Sequence, residues 1–208
     1  INADFKGYEH IRQILINKVP KYGNDIEYVD SIASEFTDML VGSIEKRFGK
    51  MGNHLMAAIV PTSANVPFGL ETWALPSGRN AFKPLADGIS PNQGTDINGP
   101  TAVAKSVARF KPGEYRIGTI FNMRFLPQAL EGIKGTKNLA ALIRGYFELG
   151  GFHVQFNVVS NEILKAAQKK PSEYRSLMVR VAGYSAYFTE LAEEVQNDII
   201  SRTEHSAI

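Results

Sequence analysis

Helix and strand patterns alternate through the second half of the chain, and this alternation constrains the fold more than any other feature of the sequence. Apolar residues recur at helical spacing after Thr136, which the sequence predicts as the helix N-cap, and then alternate with polar residues over 152–158. Helical spacing returns over 161–170. Residues 177–182 predict a further strand and 189–202 a closing helix. This order is typical of an α/β unit with crossover connections.

The first half of the chain begins with two helical segments. Residues 8–19 predict a short helix that ends at Pro20, and the apolar stripe that starts at Ile26 predicts a long second helix that ends at Gly49. Residues 101–110 predict another helix and 115–121 a strand. We expect the first two helices to serve packing rather than chemistry.

Residues 61–98 form a long segment rich in Gly, Pro, Ser and Asn, which predicts irregular structure. Irregular segments of this length are uncommon inside compact domains unless they serve a function or are disordered. Apolar residues recur through the segment and favour an ordered, buried wall. They are Phe68, Leu70, Trp73, Leu75, Phe82, Leu85 and Ile89.

Composition excludes several classes of function. The chain contains no cysteine, so it has no disulfides, thiolate metal sites or cysteine nucleophiles. A net charge of +2 with interspersed signs gives no electrostatic case for nucleic acid or a membrane surface. No apolar run approaches the roughly 20 residues that cross a bilayer, so we expect a cytoplasmic protein. The four histidines are scattered, and we expect no metal site.

Gly183 follows a strand pattern and precedes aromatic residues. By spacing alone it is a turn glycine that adopts a positive φ. The surrounding sequence is more informative, because Arg180-Val181-Ala182-Gly183-Tyr184 resembles the C-terminal signature of glycyl radical enzymes. Three upstream segments also resemble that family, in the family's order. They are 84–91, 98–102 and 151–159.

The resemblance implies a radical on the Cα of Gly183, in a buried loop with Arg180, Val181, Ala182 and Tyr184 as neighbours. In this family no cofactor is bound by the enzyme itself. A separate activating enzyme with S-adenosylmethionine and an iron–sulfur cluster removes the glycine hydrogen. The radical then passes to a cysteine, which takes hydrogen from a small organic substrate.

This chain departs from the family pattern because it has no cysteine. The thiyl cysteine is therefore expected outside it, on the remainder of a full enzyme that the resemblance implies is a homodimer. The opening Ile1-Asn2-Ala3 lacks an initiator Met. We therefore expect the C-terminal part of the family's α/β barrel, with 1–60 as a helical lead-in and first strand and 61–208 as the glycine-radical domain.

The sequences of residues 87–91 and 118–125 resemble the glycerol/diol dehydratase and choline lyase branch more than pyruvate formate-lyase. This resemblance implies a radical elimination reaction. Val60 and Thr62 are candidate substrate-pocket residues. In the glycerol dehydratase branch a tyrosine stands where this chain has Val60, which leaves room for a bulkier or more apolar substrate.

Several alternatives stay open. One alternative is a non-catalytic spare-part subunit that restores an oxygen-damaged enzyme, which the lack of cysteine also fits, although the start within a helical pattern favours a fragment of a longer enzyme. A radical alkyl- or arylsuccinate synthase, a decarboxylase and a formate acetyltransferase-type enzyme are further possibilities within the family. Ser63, His153 and Asp87 also form a combination found in hydrolases, but no nucleophile-elbow wording surrounds the serine.

Overall fold

The computed structural model describes residues 1–48, 57–112 and 118–208. Over the second half of the chain short strands and helices follow one another, as the sequence predicts for an α/β unit. The helices are α1 (Glu9–Asn17), α2 (Glu27–Phe48), α3 (Asn65–Leu70), α4 (Pro100–Ala108), α5 (Gly132–Glu148), α6 (Asn161–Lys169) and α7 (Glu193–Ser201).

Four of the strands form two parallel pairs. β1 (Ala58–Ile59) pairs with β2 (Gly118–Thr119), and β3 (Asn122–Phe125) pairs with β4 (Gln155–Val158). The chain passes from β3 to β4 through α5, which is the crossover connection that parallel strands require. The predicted crossover is therefore confirmed.

The last strand pair is different in kind. β5 (Met178–Arg180) and β6 (Ser185–Tyr187) form an antiparallel hairpin whose turn contains Gly183. The sequence predicts β5, but it gives no separate signal for β6, because three residues are too few to show a period of two. This hairpin is the element that carries the radical signature.

Helix boundaries follow local chemistry with two exceptions. The prediction that Thr136 caps α5 is wrong, since the helix starts at Gly132 and the Thr136 hydroxyl donates to the Gly132 carbonyl at 3.1 Å inside it. The closing helix begins at Glu193, because Phe188–Glu190 forms a 3₁₀ turn first. The predicted end of α2 at Gly49 lies outside the described residues.

The core consists of two apolar clusters. The larger one packs α4 and α5 against β3, with Val107, Phe121 and Phe125 fully buried. The smaller one lies under the β5–β6 hairpin. Its buried members are Val159, Leu164, Ala167, Val179, Val181, Phe188 and Ile199. The hairpin is therefore held on one side by ordinary hydrophobic packing.

Residues 61–98 are irregular as predicted, apart from α3. The expected buried wall is only partly formed: Ile89 is buried, whereas Phe68, Trp73 and Phe82 are exposed. Apolar composition predicted burial. Trp73 and Phe82 pack against each other with their ring centroids 5.4 Å apart, but the described part of the chain leaves most of the surface of all three side chains uncovered.

The predicted division at residue 60 stays a prediction. β1 and β2 come from either side of it and pair with each other. Among the described residues no helix is both long and apolar enough to cross a membrane.

Candidate functional site at the Gly183 hairpin

Gly183 occupies a turn that only glycine fits well. Its φ is +85°, in the left-handed region that favours glycine. A Cβ added there would lie 2.7 Å from Cδ1 of Ile120, which is closer than real contacts allow. The turn is closed by the Val181 amide, which donates to the Tyr184 carbonyl at 2.9 Å. The backbone conformation therefore strongly favours glycine at this position, and a Cβ would also have to displace the end of the Ile120 side chain.

The loop is buried on one face only. Val181 and Ala182 are fully buried, in agreement with the predicted buried loop, whereas Gly183 and Tyr184 are exposed. The prediction is thus wrong for the glycine in this chain. The physical reason is that the apolar cluster under the hairpin covers one side, while the described residues leave the other side open.

Arg180 ties the hairpin to β4. Its backbone amide donates to Asn157 Oδ1 at 2.8 Å, and Asn157 Nδ2 donates back to the Arg180 carbonyl at 2.7 Å. Its guanidinium donates from Nη2 to Gln155 Oε1 at 2.9 Å and from Nη1 to Ser185 Oγ at 3.1 Å. These contacts fix the edge of the hairpin, because two hydrogen bonds between one side-chain amide and one backbone unit hold both the position and the orientation of that unit.

Arg202 holds the other side of the loop from α7's C-terminal end. Its Nη1 donates to the Val181 carbonyl at 2.8 Å. Its Nε lies 3.1 Å from Asp87 Oδ2, and its Nη2 lies 2.8 Å from Asp198 Oδ2. One buried cation between two carboxylates therefore anchors the backbone two residues before Gly183.

Burial raises the pKa of Asp87 to about 6, although the adjacent Arg202 opposes that shift. The same carboxylate accepts from Asn122 Nδ2 at 2.7 Å. Next to it, Gly88 has a φ of +64°, and a Cβ there would lie 2.6 Å from the Ile120 carbonyl. Ile120 therefore lies between two glycines, with its backbone against Gly88 and its side chain against Gly183.

The candidate pocket residues lie beside the hairpin. Val60 and Thr62 are both exposed, and Thr62 and Ser63 have positive φ values of 41° and 68°. Contact with the hairpin runs through Ser63, whose Oγ lies 2.6 Å from the Tyr184 hydroxyl. Strained non-glycine residues of this kind are common at functional sites. The structure thus brings the 60–63 segment next to the radical signature.

The hydrolase combination does not assemble. Ser63 bonds to Tyr184, Asp87 pairs with Arg202, and His153 Nδ1 accepts from the Phe121 amide at 3.5 Å. A general base must reach its nucleophile, and these three side chains have other partners. Within 1–48, 57–112 and 118–208, no three His, Cys, Asp or Glu side chains are grouped as a metal site would need.

Sequence reasoning missed the polar side chains behind the loop. Gln155 and Asn157 are buried on β4 and Arg202 follows α7, yet none was a candidate. The available signal was the set of polar residues that alternate with apolar ones over 152–158, because Gln155 and Asn157 of that set lie against the hairpin. Of the apolar residues in the same segment, Phe152 and Val158 are exposed. Buried polar residues are unusual enough to mark a site when the burial is known.

Comparisons with known proteins agree with this geometry. Residues 85–189, which include Gly183, match the family model described as glycine radical, and residues 1–69 match the one described as pyruvate formate lyase-like. The chain is 43% identical to trans-4-hydroxy-L-proline dehydratase of Clostridioides difficile over 99% of its own length and 26% of that protein. It is 44% identical to isethionate sulfite-lyase of Oleidesulfovibrio alaskensis over 100% of its length and 25% of that protein.

A solved structure gives the same result for the fold. The glycerol-bound form of the B12-independent glycerol dehydratase from Clostridium butyricum matches with a TM-score of 0.93 at 48% identity, over 99% of this chain and 26% of that one. The chain therefore spans about a quarter of the length of these relatives. It has the fold of the corresponding part of their barrel, and the predicted similarity to the dehydratase branch is confirmed. The chain belongs to the glycyl radical enzyme family.

Proposed function

We propose that this chain stores a radical on the Cα of Gly183 for an anaerobic elimination enzyme. The observation that carries the proposal is the Gly183 turn itself, which lies in the matched region, has a positive φ that favours glycine and is anchored on both flanks. A Cα radical is stabilised when the amide nitrogen donates and the carbonyl withdraws electron density across a planar centre. Glycine permits that planarity and has no side-chain hydrogens to lose.

The proposed radical transfer involves two partners. An activating enzyme with S-adenosylmethionine and an iron–sulfur cluster removes one hydrogen atom from Gly183. The glycyl radical takes a hydrogen atom from a cysteine thiol, and the resulting thiyl radical takes one from the substrate. Because the chain has no cysteine, the thiol belongs to protein outside it. The exposed Gly183 face is where that thiol would approach.

Two observations support a longer enzyme over a spare-part subunit. The match of residues 1–69 to the pyruvate formate lyase-like model extends beyond the glycine-radical region. In addition, α2 exposes Ile32, Phe36 and Met39 along one face, and apolar faces of this kind are usually covered by protein. The full enzyme is proposed as a cytoplasmic homodimer.

The proposed reaction is elimination of a leaving group from the carbon next to a substrate radical. The relatives named as dehydratases and a sulfite-lyase support this class, since both names describe such eliminations. The substrate is proposed as a small organic molecule bound near Val60 and Thr62, whose segment contacts Tyr184 through Ser63.

Electron paramagnetic resonance on the full protein tests the proposal. After anaerobic activation we expect a doublet, because the one hydrogen left on the glycyl Cα splits the signal. Gly183→Ala should abolish the signal. Gly145→Ala is the matched control, since its added Cβ meets nothing within 4 Å in α5. An unchanged doublet in the Gly183→Ala protein would disprove the assignment.

A further inference from the structure

Gln155 is a buried glutamine that contacts the radical position directly. Its side chain is only 6% exposed, and Oε1 accepts from the Gly183 amide at 3.3 Å. The same oxygen accepts from Arg180 Nη2 at 2.9 Å. One amide oxygen therefore holds both the residue that stores the radical and the arginine of its signature.

The orientation of this amide is fixed by a chain of hydrogen bonds. Gln155 lies opposite Asn122 in the β3–β4 register, and Gln155 Nε2 donates to Asn122 Oδ1. Asn122 Nδ2 in turn donates to Asp87, whose ion-paired carboxylate only accepts. Each donor therefore determines the next acceptor, and the Gln155 oxygen rather than its nitrogen faces Gly183.

An acceptor at the Gly183 amide affects the radical as well as the loop. In the radical, spin spreads from Cα onto the amide nitrogen. A hydrogen bond from that N–H to an oxygen increases electron density on the nitrogen, and hydrogen bonds of this kind are stronger in a partly buried, low-dielectric site. More density on nitrogen means less spin on Cα and a smaller splitting by the remaining Cα hydrogen.

Resting on the proposed function of Gly183, we propose that Gln155 is a positioning residue that holds the Gly183 amide and tunes the stored radical through Oε1. Gln155 does not exchange hydrogen with the radical. Its effect is on spin distribution and on radical lifetime, and it acts through the backbone N–H that it accepts from.

The test compares activated full enzymes by electron paramagnetic resonance. Gln155→Leu removes the acceptor and should widen the doublet and shorten the anaerobic lifetime of the radical by about fivefold, as expected for one lost hydrogen bond. Gln155→Glu keeps an acceptor oxygen and should show a splitting no wider than the wild type. Gln168→Leu is the matched control, because Gln168 bonds to Asn197 on the surface.

The outcomes separate the two proposals. A wild-type protein without any doublet overturns both. A normal wild-type doublet with an unchanged splitting and lifetime in Gln155→Leu overturns only the role of Gln155. If Gln155→Leu does not fold or forms no radical, Gln155→Glu decides: a splitting wider than the wild type contradicts the role, and a splitting at or below it supports the role.

Discussion

At the level of single residues, two buried ion pairs of Arg202 help to hold one side of the Gly183 turn. Arg202 donates to the Val181 carbonyl and pairs with Asp87 and Asp198, so its position depends on two carboxylates. Breaking a buried pair by removing one partner is costly because the other charge is left uncompensated. Removal of the Asp87 carboxylate should therefore disturb the Gly183 turn more than removal of one partner of a surface ion pair would.

The raised pKa of Asp87 predicts a pH dependence of stability. Because burial raises its pKa from the ordinary value of 3.8 to about 6 in the folded protein, the native state holds an extra proton between these limits. The free energy of unfolding should therefore fall by about 2 kcal/mol as pH rises from 4 to 6. Asp87→Asn is neutral throughout and should lack this slope.

Urea denaturation at several pH values measures the difference between wild type and Asp87→Asn. The comparison is needed because Asp96, with a pKa raised to about 6, and His205, with a pKa lowered to about 4, also titrate in this range. The His205 contribution cancels in the difference, and so does that of Asp96, apart from the part of its shift that the charge on Asp87 causes. Parallel pH curves for the two proteins would contradict the raised pKa of Asp87.

The resemblance to the family's sequence motif was enough to select Gly183 and its neighbours in the motif as candidates. It did not identify the side chains that bond to them. Gln155 is separated from Gly183 by 28 residues along the chain. Arg202 and Asp87 approach the loop from still other elements. No local pattern encodes such long-range pairings, because they arise only when β4, the 85–91 loop and α7 pack together.

Among the secondary-structure elements, α6 supports the hairpin from below. Leu164 and Ala167 are fully buried in the cluster that also contains Val181. The helix begins after Ser160, whose Oγ accepts from the Ile163 amide at 3.3 Å, and Lys169 lies in its last turn. Local capping and burial of one face therefore place this helix where the hairpin needs it.

Removing the α6 cap should lower stability measurably. Ser160→Ala deletes the acceptor for the Ile163 amide and should reduce the free energy of unfolding by about 1 kcal/mol. Ser43→Ala on the exposed surface of α2 is the matched control and should change it by less than about 0.5 kcal/mol. Circular dichroism during urea denaturation measures both. Equal effects of the two substitutions would show that the cap does not contribute.

Elements with clear periodicity were predictable and the shortest ones were not. The helical spacing over 161–170 predicts α6 to within a residue. β6 and the 3₁₀ turn at Phe188–Glu190 gave no distinct signal. Their conformations depend on pairing with β5 and on burial of Phe188, which are tertiary effects that override local preference.

On the scale of the whole molecule, the described residues expose several large apolar side chains, which agrees with the longer enzyme that we propose. The predicted apolar stripe of α2 divides in the structure: Ala33 packs against the core, while Ile32, Phe36 and Met39 are exposed. The Gly183 face of the hairpin is open in the same way. Apolar sequence patterns predicted more burial than the structure of this chain provides, and the longer enzyme that we propose would supply the missing cover.

The site of oxygen cleavage tests the central claim most directly, because a glycyl radical exposed to air breaks the backbone at the residue that carries it. Full protein that shows the activated doublet should be exposed to air and analysed by mass spectrometry. We predict a new C-terminal fragment that begins at or next to Tyr184, absent from protein that was never activated. Intact protein, or cleavage elsewhere in the chain, would contradict Gly183 as the radical carrier.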